Sequence, residues 1–189
     1  AFVSYSSTVF ADAGFTDPLK VSVLWGGVAI LGTLAGLAVV DSPRGGRRAQ
    51  LLVAAALMAP ALAVAALAEA QGWSGLVTLA MICLYAFCFF FAWGTIPWIY
   101  PAEIFAMAER DKAVSLAVFW QYAMNGLVVV ATPFMIDWSV AGTFGVFGAL
   151  NLLNVLFVVL SVRETRCVPL EKVPALFGVQ EARASLPGA

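Results

Sequence analysis

Two amide side chains have the types and the spacing to bind a polyhydroxylated ligand. Gln121 and Asn125 are four residues apart, so a helix would place them on one face. Each amide presents both a donor and an acceptor to a hydroxyl group, without the strong field of a charge. Such amides also serve as hydrogen-bonding contacts between membrane helices. The spacing leaves both interpretations open.

A tryptophan stands beside two residues that weaken a helix, in the stretch WGTIPWIYPAEIF at 93–105. Pro97 removes one backbone donor and Gly94 loosens the helix just before it, which is typical of a binding site in a broken membrane helix or of a simple packing kink. The indole of Trp98 could stack on the apolar face of a sugar ring and donate its N–H. Anchoring at the membrane interface is the alternative. We expect Gly94 and Pro97 to bend this helix.

Charged residues recur where the apolar stretches of the chain end. They are Asp41 with Arg47 and Arg48, Glu103 with Arg110, and Glu164. An exposed ion pair contributes only about 0–1 kcal/mol, so each pair alone could serve merely to orient the chain. Gathered at one face, several pairs have the size needed to bias a two-state equilibrium. We therefore expect a cytoplasmic charge latch that closes the inner side of the protein.

The composition offers little for acid–base or metal chemistry. The chain has no His, and its three Cys show no spacing typical of a metal site or a disulfide framework. A formal net charge of −1 provides no attraction to nucleic acid. We therefore expect no catalytic residue, no metal, no cofactor and no nucleic-acid partner, and a membrane enzyme fits poorly.

The elements that must hold these residues are membrane-spanning helices. Hydrophobic residues make up 62% of the chain and charged residues 11%, which is unlike a soluble domain. Backbone groups in hydrocarbon must be paired within the segment, and the sequence lacks the alternation of a barrel strand. The fold class is therefore all-α, a polytopic transmembrane helical bundle. The predicted spans are about 20–41, 50–70, 75–99, 113–135 and 141–162.

The basic residues predict the orientation of the bundle. Of the ten Lys and Arg, only Lys20 lies in the connections on one side, so the other side is expected to be cytoplasmic. A cytoplasmic tail, 163–189, would then follow the transmembrane part, 1–162. Residues 1–15 have the composition of the outer end of an earlier helix, which predicts that a preceding part of the protein is missing here.

Several motifs, taken in order, resemble those of one transporter family. They are SYSSTVFADAG at 4–14, GGRR at 45–48, WGTIPWIYPAEIF at 93–105, TPF at 132–134, and RET at 163–165 with LE at 170–171. The chain resembles the C-terminal half of a sugar porter of the major facilitator superfamily, most closely the fungal hexose and polyol permeases. The resemblance implies part of helix 7 and helices 8–12 of a twelve-helix transporter.

The resemblance also implies a function. A sugar, polyol or related small solute would bind between two six-helix halves, which rock to give alternating access by uniport or proton symport. The solute-binding positions would be Gly94, Trp98, Gln121, Tyr122 and Asn125, with Tyr122 in place of a usual Trp. The partners would be the solute, the lipid bilayer and an N-terminal six-helix half, in the plasma membrane.

Two alternatives remain open from the sequence. The chain could belong to a truncated fragment that does not transport, because half a transporter cannot build a site between two halves. It could also belong to a sugar sensor, although the tail at 163–189 is shorter than the tails that sensors usually carry. Among the departures from the family pattern, Ala29 stands where helix 8 usually has Asn.

Overall fold

Five long apolar helical segments make up the described part of the chain, each long enough to cross a bilayer. The structure is a computed structural model that describes residues 18–40, 45–105, 109–165, 168 and 173. In chain order the helices are α1 (Pro18–Val40), α2 (Arg47–Ala70), α3 (Gly75–Cys88), α4 (Ile96–Ile104), α5 (Arg110–Trp138) and α6 (Val140–Ser161). Within these ranges the fold is all-α, which confirms the predicted fold class.

The third apolar segment, Gly75–Ile104, contains two helices. A π-helical turn at Phe89–Trp93 joins α3 to α4. The helices overlap the spans that the charge pattern predicts, and the largest difference lies here, because helical backbone continues five residues past the predicted end near residue 99. Residues 1–15, Asp41 and most of the predicted tail at 163–189 lie outside the described residues.

The central helix of the bundle is α2. Its buried face consists mainly of alanines, and Ala54, Ala55 and Ala65 are at most 1% exposed. Small side chains let neighbouring backbones approach closely in a membrane, where helix association depends on packing. Two buried apolar clusters, one around Met58 and one around Leu62, join α2 to the helices α3, α4 and α6. The bundle is therefore built around α2.

The helix α1 packs against the π-helical turn through two glycines four residues apart. A Cβ atom added at Gly32 would lie 2.7 Å from the carbonyl oxygen of Phe87, and one added at Gly36 would overlap the carbonyl oxygen of Phe91. Contacts this short with backbone atoms cannot be relieved by a side-chain movement. Glycine is therefore required at both positions if α1 is to approach the turn this closely.

The least buried helix is α5. Thr132 is its one buried residue. Within the described part of the chain, α5 packs only against α4 and α6. Large apolar side chains such as Leu116, Phe119 and Val130 are exposed. Most of this helix is therefore available to lipid or to a part of the protein outside the described residues.

Candidate functional site

The third segment is interrupted close to the residues that the sequence singles out for a bend. The Gly94 N–H donates to the carbonyl of Phe89 at 2.8 Å, and the Thr95 N–H donates to that of Ala92 at 3.2 Å. Helix α4 then begins at Ile96 and has Pro97 in its first turn, where the missing N–H of a proline costs no intrahelical hydrogen bond. The interruption thus begins before Gly94, within a run of phenylalanines.

Trp98 lies in the first turn of α4 and is 43% exposed. Its backbone N–H donates to the carbonyl of Thr95 at 3.2 Å. No hydrogen bond of its indole N–H occurs within the described part of the chain. The indole is therefore free to bind a molecule, whether that is a solute or a lipid headgroup.

A cavity of about 430 Å³ opens between α4, α5 and α6, a volume within the range of small-molecule sites. Its walls are mostly apolar, and the groups that could orient a ligand are few. Gln121 lines the cavity, as does Trp93, whose buried indole Nε1 has no hydrogen-bond partner. Pro97 also lines it, so the cavity adjoins the broken part of the third segment.

The cavity does not bring the predicted solute-binding residues together. Gln121 alone among them lines it, beside Pro97, which is predicted to bend the helix, whereas Gly94, Trp98, Tyr122 and Asn125 are not among its lining residues. All three predicted residues on α5 are exposed, and the Tyr122 side chain is 62% exposed. Their roles in solute binding remain predictions.

At the end of the bundle that the sequence predicts to be cytoplasmic, an ion pair joins α2 to α4. The Nη2 atom of Arg47 lies 2.9 Å from Oε1 of Glu103, and both side chains are less than one fifth exposed. Arg47 also donates to the carbonyl of Val40 at 3.2 Å, while the second carboxylate oxygen of Glu103 accepts from the Thr165 hydroxyl at 2.7 Å. One carboxylate therefore connects three parts of the chain.

A second carboxylate at the same end caps α2. The backbone N–H groups of Arg47 and Arg48 donate to the two oxygens of Glu164 at 3.0 and 3.1 Å. These N–H groups have no partner within their own helix, and an anion at a helix N-terminus is favoured by the helix dipole. Gly46 leaves the space for this carboxylate, because an added Cβ would lie 2.5 Å from Oε2 of Glu164.

The remaining predicted latch residues behave differently. Arg48 donates to the carbonyl of Val159 at 3.0 Å. The Nε atom of Arg110 is buried without a hydrogen-bond partner, and no ion pair between Arg110 and Glu103 occurs in the described residues. Glu103 therefore pairs with Arg47, although Arg110 is the nearer arginine in the sequence.

Sequence reasoning missed three polar residues that the structure places at this end of the bundle. Thr165 donates to Glu103, and the Tyr100 hydroxyl donates to the Arg163 carbonyl at 3.1 Å and accepts from its N–H at 3.0 Å. Gln50 is buried in the first turn of α2. A polar side chain in the otherwise apolar stretch after GGRR is the signal by which Gln50 could have been found.

Five apolar spans, one of them broken beside a cavity, define an integral membrane protein of the helical-bundle type, an architecture typical of transporters. A family model described as "Sugar (and other) transporter" matches residues 1–177. The chain belongs to this family, the sugar porters of the major facilitator superfamily.

Similar proteins include transporters from fungi and bacteria. The high-affinity hexose transporter HXT6 of Saccharomyces cerevisiae is 30% identical over 93% of this chain. The glucose transport protein of Synechocystis is 30% identical over 89% of it. The solved structure of the proton:xylose symporter XylE, bound to 6-bromo-6-deoxy-D-glucose, superposes with a TM-score of 0.79 at 25% identity over 93% of the chain.

The chain spans only part of the length of these proteins. It corresponds to 33% of the yeast transporter, 39% of the Synechocystis protein and 40% of the XylE chain. Each of them therefore contains more chain than the part to which this sequence is similar.

Proposed function

We propose that the protein containing this chain moves a sugar, polyol or related small solute across a membrane by alternating access. The observation that carries the proposal is the interrupted third segment, whose break adjoins a cavity lined by Gln121. Loosened backbone in a membrane is tolerated beside a cavity, where transporters place their substrates. The relatives, which are described as hexose, glucose and xylose transporters, support the same class of solute.

In this proposal the solute contacts residues on α4 and α5. Trp98 stacks on the sugar ring, while Gln121 and Asn125 hydrogen-bond to hydroxyl groups. Tyr122 supplies a further polar contact, and Gly94 allows α4 to change its angle to α3. The exposure of all three α5 residues supports this assignment, because polar side chains on a membrane helix need a wet cavity or a partner.

An N-terminal half would supply the other wall of the site. The helix α5 is almost unburied, and it carries the predicted amides on a surface that lipid could not solvate well. Packing of a second helical half against this surface would enclose the solute. The distribution of basic residues supports a C-terminus in the cytoplasm, and the resemblance to fungal permeases supports the plasma membrane as the location.

The charge cluster would act as the latch of the outward-facing state. Its core is the Arg47–Glu103 pair, with Glu164 holding the first turn of α2. Arg48 ties that turn to α6, while Asp41 and Arg110 are the further predicted members. Opening toward the cytoplasm would separate these elements and break the pair, so the latch would set the relative populations of the two states.

Uptake of radiolabelled glucose, xylose and sugar alcohols into proteoliposomes tests the proposal. In the protein carrying this chain, Trp98→Ala should reduce uptake at least tenfold at unchanged membrane level, because the stacking surface is lost. Trp138→Ala is the matched control, since Trp138 is 90% exposed at the far end of α5 and should retain uptake. Uptake that persists in Trp98→Ala with the same apparent affinity would identify Trp98 as a membrane anchor.

A protein that reaches the membrane intact and takes up none of these solutes, even down their gradients, would contradict the proposal. It would favour a sensor or a polypeptide that does not transport. Uniport and proton symport are separated by the same assay, because only a symporter should accumulate solute against its gradient when an inward proton gradient is imposed.

A further inference from the structure

A single buried amide connects three elements of the bundle. Gln50, in the first turn of α2, is 3% exposed. Its Nε2 group donates to the carbonyl of Gly36 on α1 at 3.1 Å and to that of Phe91 in the π-helical turn at 2.5 Å. Both acceptors are backbone atoms of other segments, so Gln50 holds α1 and the turn against α2.

The carbonyl of Phe91 needs this donor because of the interruption itself. In a continuous α-helix it would accept from the N–H of Thr95, four residues later. Here the Thr95 N–H donates to Ala92 instead. A side chain that donates to a carbonyl released in this way is a recognised cause of a bent membrane helix. Gln50 therefore supplies the hydrogen bond that straightening of the segment would otherwise restore.

The acceptor half of the same amide points to a role beyond packing. The Oε1 atom of Gln50 is buried and has no hydrogen-bond partner, which is unfavourable for folding. An apolar side chain of similar shape would avoid that cost and fill the same space. Packing alone therefore does not account for an amide at this position, and its distinctive contribution is the pair of hydrogen bonds that its Nε2 group donates.

The first turn of α2 makes a second contact with the third segment, besides the hydrogen bond from Gln50 to Phe91. Arg47 lies three residues earlier and pairs with Glu103, near the end of α4. The first turn of α2 thus contacts the third segment near both ends of α4, at Phe91 just before the helix and at Glu103 close to its last residue. If the ion pair opens while Gln50 stays bonded, α4 can swing about a fixed point.

We propose that Gln50 is a positioning residue that keeps the Phe89–Trp93 turn π-helical and so sets the angle at which α4, with Trp98, meets α3. Its relevance to solute binding rests on the proposed transport function. Loss of the donor should allow the Thr95 N–H to return to the Phe91 carbonyl, and the segment should straighten.

The test measures the geometry of the third segment directly in the membrane-embedded protein that carries this chain. Spin labels are attached at Leu76→Cys and Phe105→Cys, two exposed positions that flank the segment, in a background without native cysteines. A continuous helix would separate their Cα atoms by about 43 Å. Pulsed dipolar spectroscopy then gives the ratio of bent to straight populations.

Gln50→Met is the main variant, because it retains the shape of the side chain and removes its donor. We expect the population ratio to shift about fivefold toward the longer distance, since one net hydrogen bond contributes about 1 kcal/mol. Thr143→Val is the matched control: it also removes a buried side-chain donor while retaining the shape, but one that donates to the Ser139 carbonyl four residues earlier at the start of α6. Its distance distribution should equal that of the parent protein.

A transport measurement connects the geometry to the site. Gln50→Met should raise the KM for uptake about fivefold, because Trp98 is displaced, whereas Thr143→Val should leave KM unchanged at equal membrane level. If Gln50→Met does not insert, Gln50→Asn serves instead, because its amide is one methylene too short to reach both carbonyls.

Distances that stay unchanged in the inserted Gln50 variant would overturn the inference, even if the parent protein transports. A parent protein without uptake whose distances shift in the variant would contradict the transport proposal and leave Gln50 as the residue that bends the segment. The two failures are therefore distinguishable.

Discussion

Glu103 illustrates how much one side chain contributes at this end of the bundle. Its two oxygens accept from Arg47 and Thr165, which lie at the start of α2 and shortly after the end of α6. A partly buried carboxylate with two partners holds its neighbours more firmly than an exposed pair does. In the proposed latch, opening toward the cytoplasm would separate these groups.

Removing the charge of Glu103 should therefore weaken the latch. In Glu103→Gln the amide retains an acceptor but loses the ionic contact, which should favour the inward-open state by about 1–2 kcal/mol. The measurement is the rate at which a membrane-impermeant thiol reagent, added from the cytoplasmic side, modifies a cysteine in the inner cavity. We expect an increase of roughly fivefold or more.

Glu109→Gln is the matched control for this prediction. Glu109 is exposed, and its side chain makes no capping hydrogen bond at the start of α5. Equal labelling rates in Glu103→Gln and the parent protein would mean that the pair serves stability or topology and does not latch the protein.

Among the elements, α1 packs closely against the π-helical turn. Gly36→Ala would place a methyl group against the Phe91 carbonyl, and we expect a loss of about 1–3 kcal/mol in the free energy of unfolding from overpacking. Gly27→Ala is the control on the same helix, because nothing lies within 4 Å of its added Cβ. Thermal unfolding in detergent measures this loss: the Tm of Gly36→Ala should fall, and that of Gly27→Ala should not.

The start of α2 provides a second prediction at this scale. Glu164→Ala removes the acceptor of two backbone N–H groups and should reduce stability by about 1 kcal/mol, as loss of a helix cap does. Glu164→Gln keeps an acceptor oxygen and should lose less. A Tm for Glu164→Ala equal to that of the parent protein would show that water replaces the carboxylate at no cost.

The helices were predictable from the sequence, whereas the interruption was only partly so. Charge-free stretches bounded by Arg and Glu locate the spans because charges are excluded from hydrocarbon. Gly94 and Pro97 indicate a break, but the turn starts at Phe89, and phenylalanine has no preference that marks a π-helical turn. The turn contacts Gly36 and Gln50, which are distant from it in the sequence, so these contacts are visible only in three dimensions.

The charged residues were likewise only partly predictable: their location follows from the sequence, but their pairing does not. The sequence places Arg47, Glu103 and Arg110 at one end of the bundle, but it does not say which of them meet. Arg47 and Glu103 are 56 residues apart, and their contact follows from the packing of α2 beside α4. Periodicity and composition do not indicate which residues far apart in the sequence become neighbours in the fold.

At the scale of the whole molecule, the exposed surface of α5 should divide into a wet side and a lipid side. Asn125→Cys should react with a membrane-impermeant thiol reagent, and a transported sugar should slow the reaction at least threefold. Leu127→Cys is also exposed in the structure, but it lies about 200° around the helix and should face lipid, so it should react poorly. Equal reactivity of the two positions would argue against a solute pathway along α5.

The cap on α2 has a consequence for how the protein is made. The carboxylate that completes the first turn of α2 comes from a residue 117 positions later in the chain than Arg47. While the ribosome works through α3 to α6, the early N–H groups must wait beside lipid headgroups and water. The cap therefore cannot form until residue 164 has left the ribosome, so the start of α2 is completed only after all six described helices have been synthesised.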